Sequence, residues 1–369
     1  MKMNFNRRHV WLLVILILGS LYGYMSYMVL KTEDISDTTF HEPKLQSVYN
    51  HSVPRTSNAK KSVASNSTEI DGDERLQIGH YVAGFNLSLI GKEFNFDSSD
   101  LALVKAVLRD QTLKRKPVES IDAKTPFFDL VAPVTGCSSN HYGEFKHHIE
   151  EFRKQFPGIK WFFYDLGLND AEINEVRTMP DVVYRKFDFD AYPQHIRNLH
   201  NYAWKTLIMQ KMLSEFDGTM WFDSSVKFTG NQTNVLIELL SRHNTGAVFY
   251  VSTTGHSIIT ATHPTMLEYL PMEKVGAVKD MLQGSAVVYV NKDEVQRRVM
   301  KWLVICVLKG DCISPPGSTL YCGYNFPRDR FGGCHRYDQS LQNILISNSY
   351  NYEQEKYYYW SDSFAIVER

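Results

Sequence analysis

The chain has 369 residues, with 40 Lys and Arg against 41 Asp and Glu, so its formal charge at neutral pH is -1. That length fits one large domain or two modest ones with chain left over for appendages, and an apolar share of 43% permits a full core. No basic stripe stands out beyond the N-terminus, which argues against nucleic acid as a partner.

Residues 10–30 are apolar or uncharged throughout, a run long enough to cross a bilayer as a helix. Lys2, Arg7 and Arg8 precede it; Glu33, Asp34 and Asp37 follow, with Lys31 the one basic residue of that flank. The positive-inside rule then predicts a cytoplasmic tail at 1–9, a transmembrane signal-anchor in the lipid bilayer at 10–30 and a lumenal remainder, a type II membrane arrangement. A cleaved signal peptide is the competing reading; the length of the apolar run and the lack of a small-x-small site speak against it. Asn50, Asn66, Asn86 and Asn231 each begin an Asn-x-Ser/Thr acceptor sequence for N-glycosylation. The first three cluster behind the anchor, where an exposed stem would carry them.

Residues 31–124 are polar and rich in Ser, Thr, Asn and Asp. "SNAKKSVASNSTEIDGDE" has the composition of a loosely ordered segment. The expectation is a largely flexible stem over 31–124, with a short helix at 99–113, a strand at 81–90 and the capacity to lay a flap on a main domain at 125–369. From Pro126 the texture changes. "FFDLVAPVTG" reads as a buried strand, and "EFKHHIEEFRKQF" sets Phe145, Ile149, Phe152 and Phe156 on one helical face. The adjacent pair His147 and His148 cannot face one ligand and reads as surface. "KWFFYDLGL" predicts a second strand and "NDAEINEV" a helix with an acidic first turn. "DVVYRKFDF" is a third strand, "NYAWKTLIMQKMLSEF" a helix, "GTMWF" a fourth strand, "NVLIELLSR" a helix and "GAVFYVSTT" a fifth strand. Strands alternating with helices through short connections predict an α/β layer fold with a mostly parallel sheet flanked by helices.

Cys306, Cys312, Cys322 and Cys334 crowd near the C-terminus, while Cys137 stands apart. The spacings contain no CxxC pair, which disfavours structural zinc. In an oxidising compartment two local disulfides are expected among the four, with three connectivities open.

Three strand ends carry polar groups, "TGCSSN", "YDLGL" and "WFDSS". In open α/β sheets ligands bind beyond the carboxyl ends of the strands, and this set suits a nucleotide-type ligand. The plain alternative is that any buried strand must be followed by polar residues. "TMWFDSSVKF" sharpens the question, because the apolar Met220, Trp221 and Phe222 stop at a single carboxylate, Asp223.

On "VTGCSSNHYGEF", "WFFYDLGL", "YAWKTLIM", "MWFDSSVKF", "QGSAVVYVN" and "CHRYDQSLQNIL", which span most of the predicted domain, the chain resembles a nematode-expanded family of proteins with a glycosyltransferase-like domain. The resemblance implies a GT-A-like (Rossmann-like, nucleotide-diphospho-sugar transferase-like) fold on a type II anchor and stem, in the Golgi or ER. It implies a nucleotide-sugar donor and a glycan or glycoprotein acceptor, with a catalytically inert GT-A-like binding domain as the alternative. It further implies a divalent cofactor, Mn2+ or Mg2+, acting as Lewis acid on the departing diphosphate.

In that class the ion is held by Asp-x-Asp at the end of a central strand. Here the stretch is Asp223-Ser224-Ser225, so one carboxylate is replaced by a hydroxyl, a weaker ligand, which opens a metal-independent route. Asp338, in "HRYDQ", is implied as catalytic base or metal ligand beside Gln339, with a helix N-cap as its plain reading. His335 is a third candidate for metal or phosphate. Lys205 is implied as a cation for the diphosphate where no metal is used; its plain reading is a solvated lysine on a helix edge. Cys137, Ser138, Ser139 and Asn140 are expected to line the nucleotide pocket after the first strand, and Asp165 to accept hydrogen bonds from base or ribose or else to cap the next helix. His256, Gly284 and Ser285 are expected on the acceptor side.

Overall fold

The computed structural model describes residues 94–114, 116–231, 233–249, 252–323, 327–359 and 365–367. The expected tail, the anchor at 10–30, the strand at 81–90 and the sequons at Asn50, Asn66 and Asn86 lie outside the described residues. Among the described residues no helix is long and apolar enough to cross a membrane. Asn231 is described and exposed, in the loop before a helix.

Helices alternate with strands as the apolar periodicities require. The main elements in chain order are α1 (Ser98–Lys114), β1 (Val131–Cys137), α2 (Tyr142–Gln155), β2 (Trp161–Asp165), α3 (Asp170–Thr178), β3 (Val182–Lys186), α4 (Ala203–Leu213) and β4 (Gly218–Phe222). They continue with β5 (Val226–Phe228), α5 (Thr233–Arg242), β6 (Ala247–Phe249), β7 (Thr253–Ser257), β8 (Asp280–Leu282), β9 (Ala286–Val290), α6 (Lys301–Leu308) and α7 (Tyr337–Ser349). "GAVFYVSTT", expected as one strand, is two: β6 joins the main sheet, and β7 pairs with β8 in a separate two-stranded sheet. The main sheet has six strands in the order β3-β2-β1-β4-β9-β6. β1, β2, β3 and β4 pair in parallel, and β9 runs antiparallel to both neighbours.

Alternation along each strand feeds two cores. Val131, Trp161, Phe163, Met220 and Phe222 face one side and meet Phe145, Ile149 and Phe152 of α2 with Leu236 and Leu240 of α5. Ala132, Val134, Phe162, Tyr164 and Trp221 face the other and meet α4, α6 and α7. With both faces covered, the strands read as nearly continuous apolar runs, as a buried parallel sheet requires.

The chain leaves β1 toward β2 and β3, then crosses back over to place β4 on β1's other side. The crevice between β1 and β4 is therefore the topological switch point of the sheet, where loops diverge and leave space at the carboxyl ends. Thr135 on β1 donates to the Phe222 carbonyl on β4 (2.7 Å), fixing the width of that crevice. Gly136 is required by close approach, since a Cβ there would stand 2.9 Å from the Tyr164 carbonyl oxygen.

The domain starts earlier than the expected boundary at 125. Phe94 and Val104 are buried in the core beside α4 and α6, and the Phe94 ring packs 4.6 Å from Tyr269. The last part of the expected stem is thus core, because its few apolar residues find partners on a helical face that local periodicity did not reveal.

Two disulfides join near neighbours, Cys306 to Cys312 and Cys322 to Cys334, while Cys137 is a buried free thiol. Of the three open connectivities, the one between sequence neighbours is realised.

Phe152 is fully buried among Phe128, Phe156, Trp161 and Phe228, so it anchors α2 to the sheet away from the crevice. Phe152→Ala is expected to destabilise the fold by about 3–5 kcal/mol, by lost burial plus a cavity. Urea unfolding followed by far-UV circular dichroism measures it, and a loss within about 1 kcal/mol would contradict this packing.

Candidate functional site

A cleft of about 730 Å³ opens at the switch point, over the carboxyl ends of β1 and β4 and the amino end of the antiparallel β9. Each element delivers side chains by its own local logic. β1 ends at Cys137, and the following turn brings Ser138 and Asn140 to the wall. β4 ends at Phe222, and Asp223, Ser224 and Ser225 turn across its tip, with the Asp223 amide held by the Ser285 carbonyl (2.8 Å). Gly284 and Ser285 enter the cleft just before β9, and Asp338 and Gln339 come from the first turn of α7.

The centre of the cleft is an ion triad. Lys205 Nζ lies 2.9 Å from Asp223 Oδ1 and 3.0 Å from Asp338 Oδ2. Its side chain is almost fully enclosed, that of Asp338 likewise, while the Asp223 side chain is 30% exposed to the cleft. The plain reading of Lys205 as a solvated helix-edge lysine is corrected: α4 is packed on nearly all sides, so its polar side chain has to find partners inside. Asp338 is not an N-cap either, since Arg336 holds that position and Asp338 points from the first turn toward Lys205.

The surroundings hold this geometry. Trp221 Nε1 donates to Asp223 Oδ1 (2.7 Å), and the indole ring lies 5.3 Å from the ammonium. Gln342 Nε2 donates to Asp338 Oδ2 (3.3 Å), one turn along α7. Tyr202 and Tyr337, which start the segments carrying Lys205 and Asp338, both adopt left-handed backbone with φ of 56° and 42°. Such conformations cost on the order of 1–3 kcal/mol and persist where packing over-determines them.

Burial alone would lower the Lys205 pKa, but the charges of Asp223 and Asp338 outweigh it and hold it above the ordinary range. Burial pushes Asp338 up to about 6, against the pull of Lys205 and with repulsion from Asp223 adding to the rise. The charge of Asp338 is therefore held less firmly than that of an ordinary carboxylate.

Most of the expected site residues converge on the cleft: Cys137, Ser138, Asn140, Lys205, Asp223, Ser224, Ser225, Gly284, Ser285, Asp338 and Gln339. Four expected residues fall elsewhere. Ser139 turns away to Glu172 and the Gly167 carbonyl. Asp165 is spent on its own turn, accepting from the Gly167 and Leu168 amides and from the Tyr184 hydroxyl; it does not cap the next helix, whose N-cap is Asn169 in a capping box with Glu172. His256 sits beside Thr254 off the cleft wall. His335 is fully buried, with Nδ1 accepting from the His263 amide (3.1 Å) and Nε2 facing the Ile313 carbonyl (3.0 Å). Those bonds define a neutral ring with its proton on Nε2 and leave no lone pair for a metal and no N–H for a phosphate.

The sequence reading passed over Glu144, His141, His200, Tyr202, Trp204 and Arg336, all of which line the cleft. Glu144 Oε2 faces His141 Nδ1 (3.0 Å) and accepts from Ser224 Oγ (3.0 Å), tying the β1 loop to the β4 loop. Nothing local marks Glu144 on a solvated helix face, and Arg336, two residues before Asp338, stands in no pattern of its own. His148, read as surface, is buried against the Ser224 carbonyl because α2 lies flush on the β4 turn.

The donors do not fit a divalent ion. Such ions take several oxygen ligands at about 2.0–2.6 Å. Here the two carboxylates share one ammonium, Ser224 is engaged with Glu144, and His335 has no free nitrogen. Among the described residues no three His, Cys, Asp or Glu side chains come together in a metal-binding arrangement.

Comparison with known families places residues 80–210 in a match to one described as "Protein of unknown function (DUF1647)". The matched stretch includes Cys137, Asp165 and Lys205 and ends before Asp223 and Asp338. No curated protein matches the chain.

Lys205→Met removes the charge and keeps the stem, leaving two carboxylates uncompensated. It is expected to destabilise the fold by about 3–5 kcal/mol, and pairing it with Asp338→Asn should restore part of that loss. A double-mutant cycle by urea unfolding checks this, and purely additive losses would show that the residues do not interact.

Burial pushes His335 down to about 3, with the bond to Ile313 opposing it. Its ordinary value is about 6.5, so between these limits the unfolded chain binds the extra proton. The contribution is thus fully present above about pH 6.5 and is lost progressively as pH falls toward 3. Melting temperature should drop over that window, and the drop should be shallower in His335→Gln.

Proposed function

We propose that this chain is a GT-A-like glycosyltransferase that moves a sugar from a nucleotide-sugar donor to a glycan or glycoprotein acceptor in the ER or Golgi lumen. One observation carries the reading: the cleft lies at the switch point between β1 and β4, with Asp223 at the carboxyl end of β4 facing Asp338 and Lys205. Its volume is within the range of small-molecule and cofactor sites. The six-stranded order with an antiparallel β9 beside β4 is compatible with a GT-A-like sheet. The disulfides support an oxidising compartment, and the apolar run at 10–30 supports a type II anchor.

In this reading the donor's nucleotide lies along the β1 loop at Ser138 and Asn140, and its sugar lies near Asp223 and Gln339. In a single displacement the acceptor hydroxyl oxygen forms a bond to the anomeric carbon as the bond from that carbon to the diphosphate oxygen breaks. The hydroxyl proton passes to a carboxylate and the nucleoside diphosphate leaves. Asp338 suits the acceptor of that proton, since a base near the operating pH works best and burial has raised it into that region. Asp223, more exposed, is suited to accept hydrogen bonds from donor hydroxyls.

A second reading, a catalytically inert domain that binds glycan or protein, is favoured by one specific feature. Both carboxylates are already engaged by Lys205, and Ser225 stands where a second acid would be.

Thermal melting of the purified full chain with UDP-, GDP- and CMP-sugars separates the two. The enzyme reading expects at least one donor to raise the midpoint by about 2–4 °C at saturation, and Asp223→Ala to abolish the shift. No shift with any donor would remove the enzyme reading, and a shift unchanged in Asp223→Ala would remove that residue from the donor site.

A further inference from the structure

The charges at the floor of the cleft have a stoichiometry with chemical consequences. A lysine ammonium has three donors and no acceptor. Three oxygens stand around Lys205 Nζ: Asp223 Oδ1 at 2.9 Å, Asp338 Oδ2 at 3.0 Å and the Gly284 carbonyl at 3.4 Å. Every donor is therefore directed into the protein. The side chain is held on its other flanks by the rings of Trp221 and Tyr202, whose centroids lie 5.3 and 5.6 Å from the ammonium.

A divalent ion bridging Asp223 Oδ1 and Asp338 Oδ2 would need the space and the lone pairs that Lys205 uses. It would also stand within a few ångströms of a buried ammonium, where like charges repel strongly. The same two oxygens accept from Trp221 and Gln342, which further reduces what they offer a metal. The arrangement is built around a cation the chain supplies itself.

We propose that Lys205 is the resident cation of this site, holding Asp223 and Asp338 in register in place of a divalent ion, so that a nucleoside diphosphate is received without metal. Arg336 also lines the cleft and adds a second positive charge to its wall. The statement about the diphosphate rests on the glycosyltransferase reading. The statement about Lys205 does not.

Removing the ammonium leaves two carboxylates aimed at one small volume, which is a nascent divalent-cation site. Lys205→Ala should therefore acquire Mn2+ binding that the native chain lacks. Mn2+ titration followed by electron paramagnetic resonance compares the native chain, Lys205→Ala and Lys205→Ala/Asp338→Asn. The expected order is at least about tenfold tighter binding in Lys205→Ala than in either of the others. Because Lys205→Ala is expected to be less stable, its melting midpoint is read with and without Mn2+, and a Mn2+-specific rise counts as the same result. Mn2+ binding by the native chain as tight as by Lys205→Ala would overturn the assignment, as would absence of any Mn2+ effect in that variant.

A third arm needs no variant: UDP binding to the native chain by calorimetry, with EDTA or with Mn2+. Affinities within about twofold of each other support reception without metal, whereas loss of binding in EDTA overturns it. No UDP binding under either condition overturns metal-free reception of this nucleotide, while the Mn2+ titration still decides the role of Lys205. The donor screen with the other nucleotides then decides the glycosyltransferase reading separately.

Discussion

The contact on which the site depends is the buried ammonium of Lys205 between the carboxylates of Asp223 and Asp338. Its three members come from α4, the tip of β4 and the first turn of α7, so the pair of contacts fixes the spacing of three elements at once. Ion pairs removed from water recover their desolvation cost only when geometry is close and the remaining lone pairs are satisfied. Trp221, Gln342 and the Gly284 carbonyl supply that satisfaction here. Burial is the largest influence on Asp338 and has raised it to about 6, against the pull of Lys205 and with repulsion from Asp223 adding.

That triad sits where it does because of chain path. β1, β2 and β3 are laid down in one direction, and β4 returns to the other side of β1. Loops leaving β1 and β4 must then diverge, and space opens between them without any residue being selected to create it. Side-chain chemistry decides what fills the space. Polar residues gather on the floor, while Leu166, Leu199, Leu320, Tyr202 and Trp204 furnish apolar and aromatic wall. A polyhydroxylated ring attached to a charged group matches such a mixture, and that match is the chemical basis of the functional proposal.

Several site residues were legible in the sequence for a definite reason. A buried strand that stops at Asp223 advertises a carboxylate at a sheet edge, and "TGCSSN" after β1 advertises a small-residue loop beside it. Lys205 was legible as a candidate and illegible as a buried one. Helix periodicity describes a single apolar face, whereas α4 is enclosed by the sheet on one side and α6 and α7 on the other. Asp165 shows the opposite error. It ends a buried strand as Asp223 does, yet its carboxylate closes its own turn on the Gly167 and Leu168 amides and takes the Tyr184 hydroxyl from the neighbouring strand. Two identical local patterns thus acquire different roles from what lies across the gap.

The sequence by itself determined the alternation of strands and helices, the mostly parallel sheet and the presence of local disulfides. Those follow from period, composition and spacing, which are properties of neighbouring residues. The tertiary structure alone decided that residues as distant in the chain as Lys205, Asp223 and Asp338 share one cation, that Glu144 and Arg336 join their cleft, and that His335 does not. Those outcomes depend on which strand ends lie side by side and on which polar groups lose their water, and neither is encoded within a single segment.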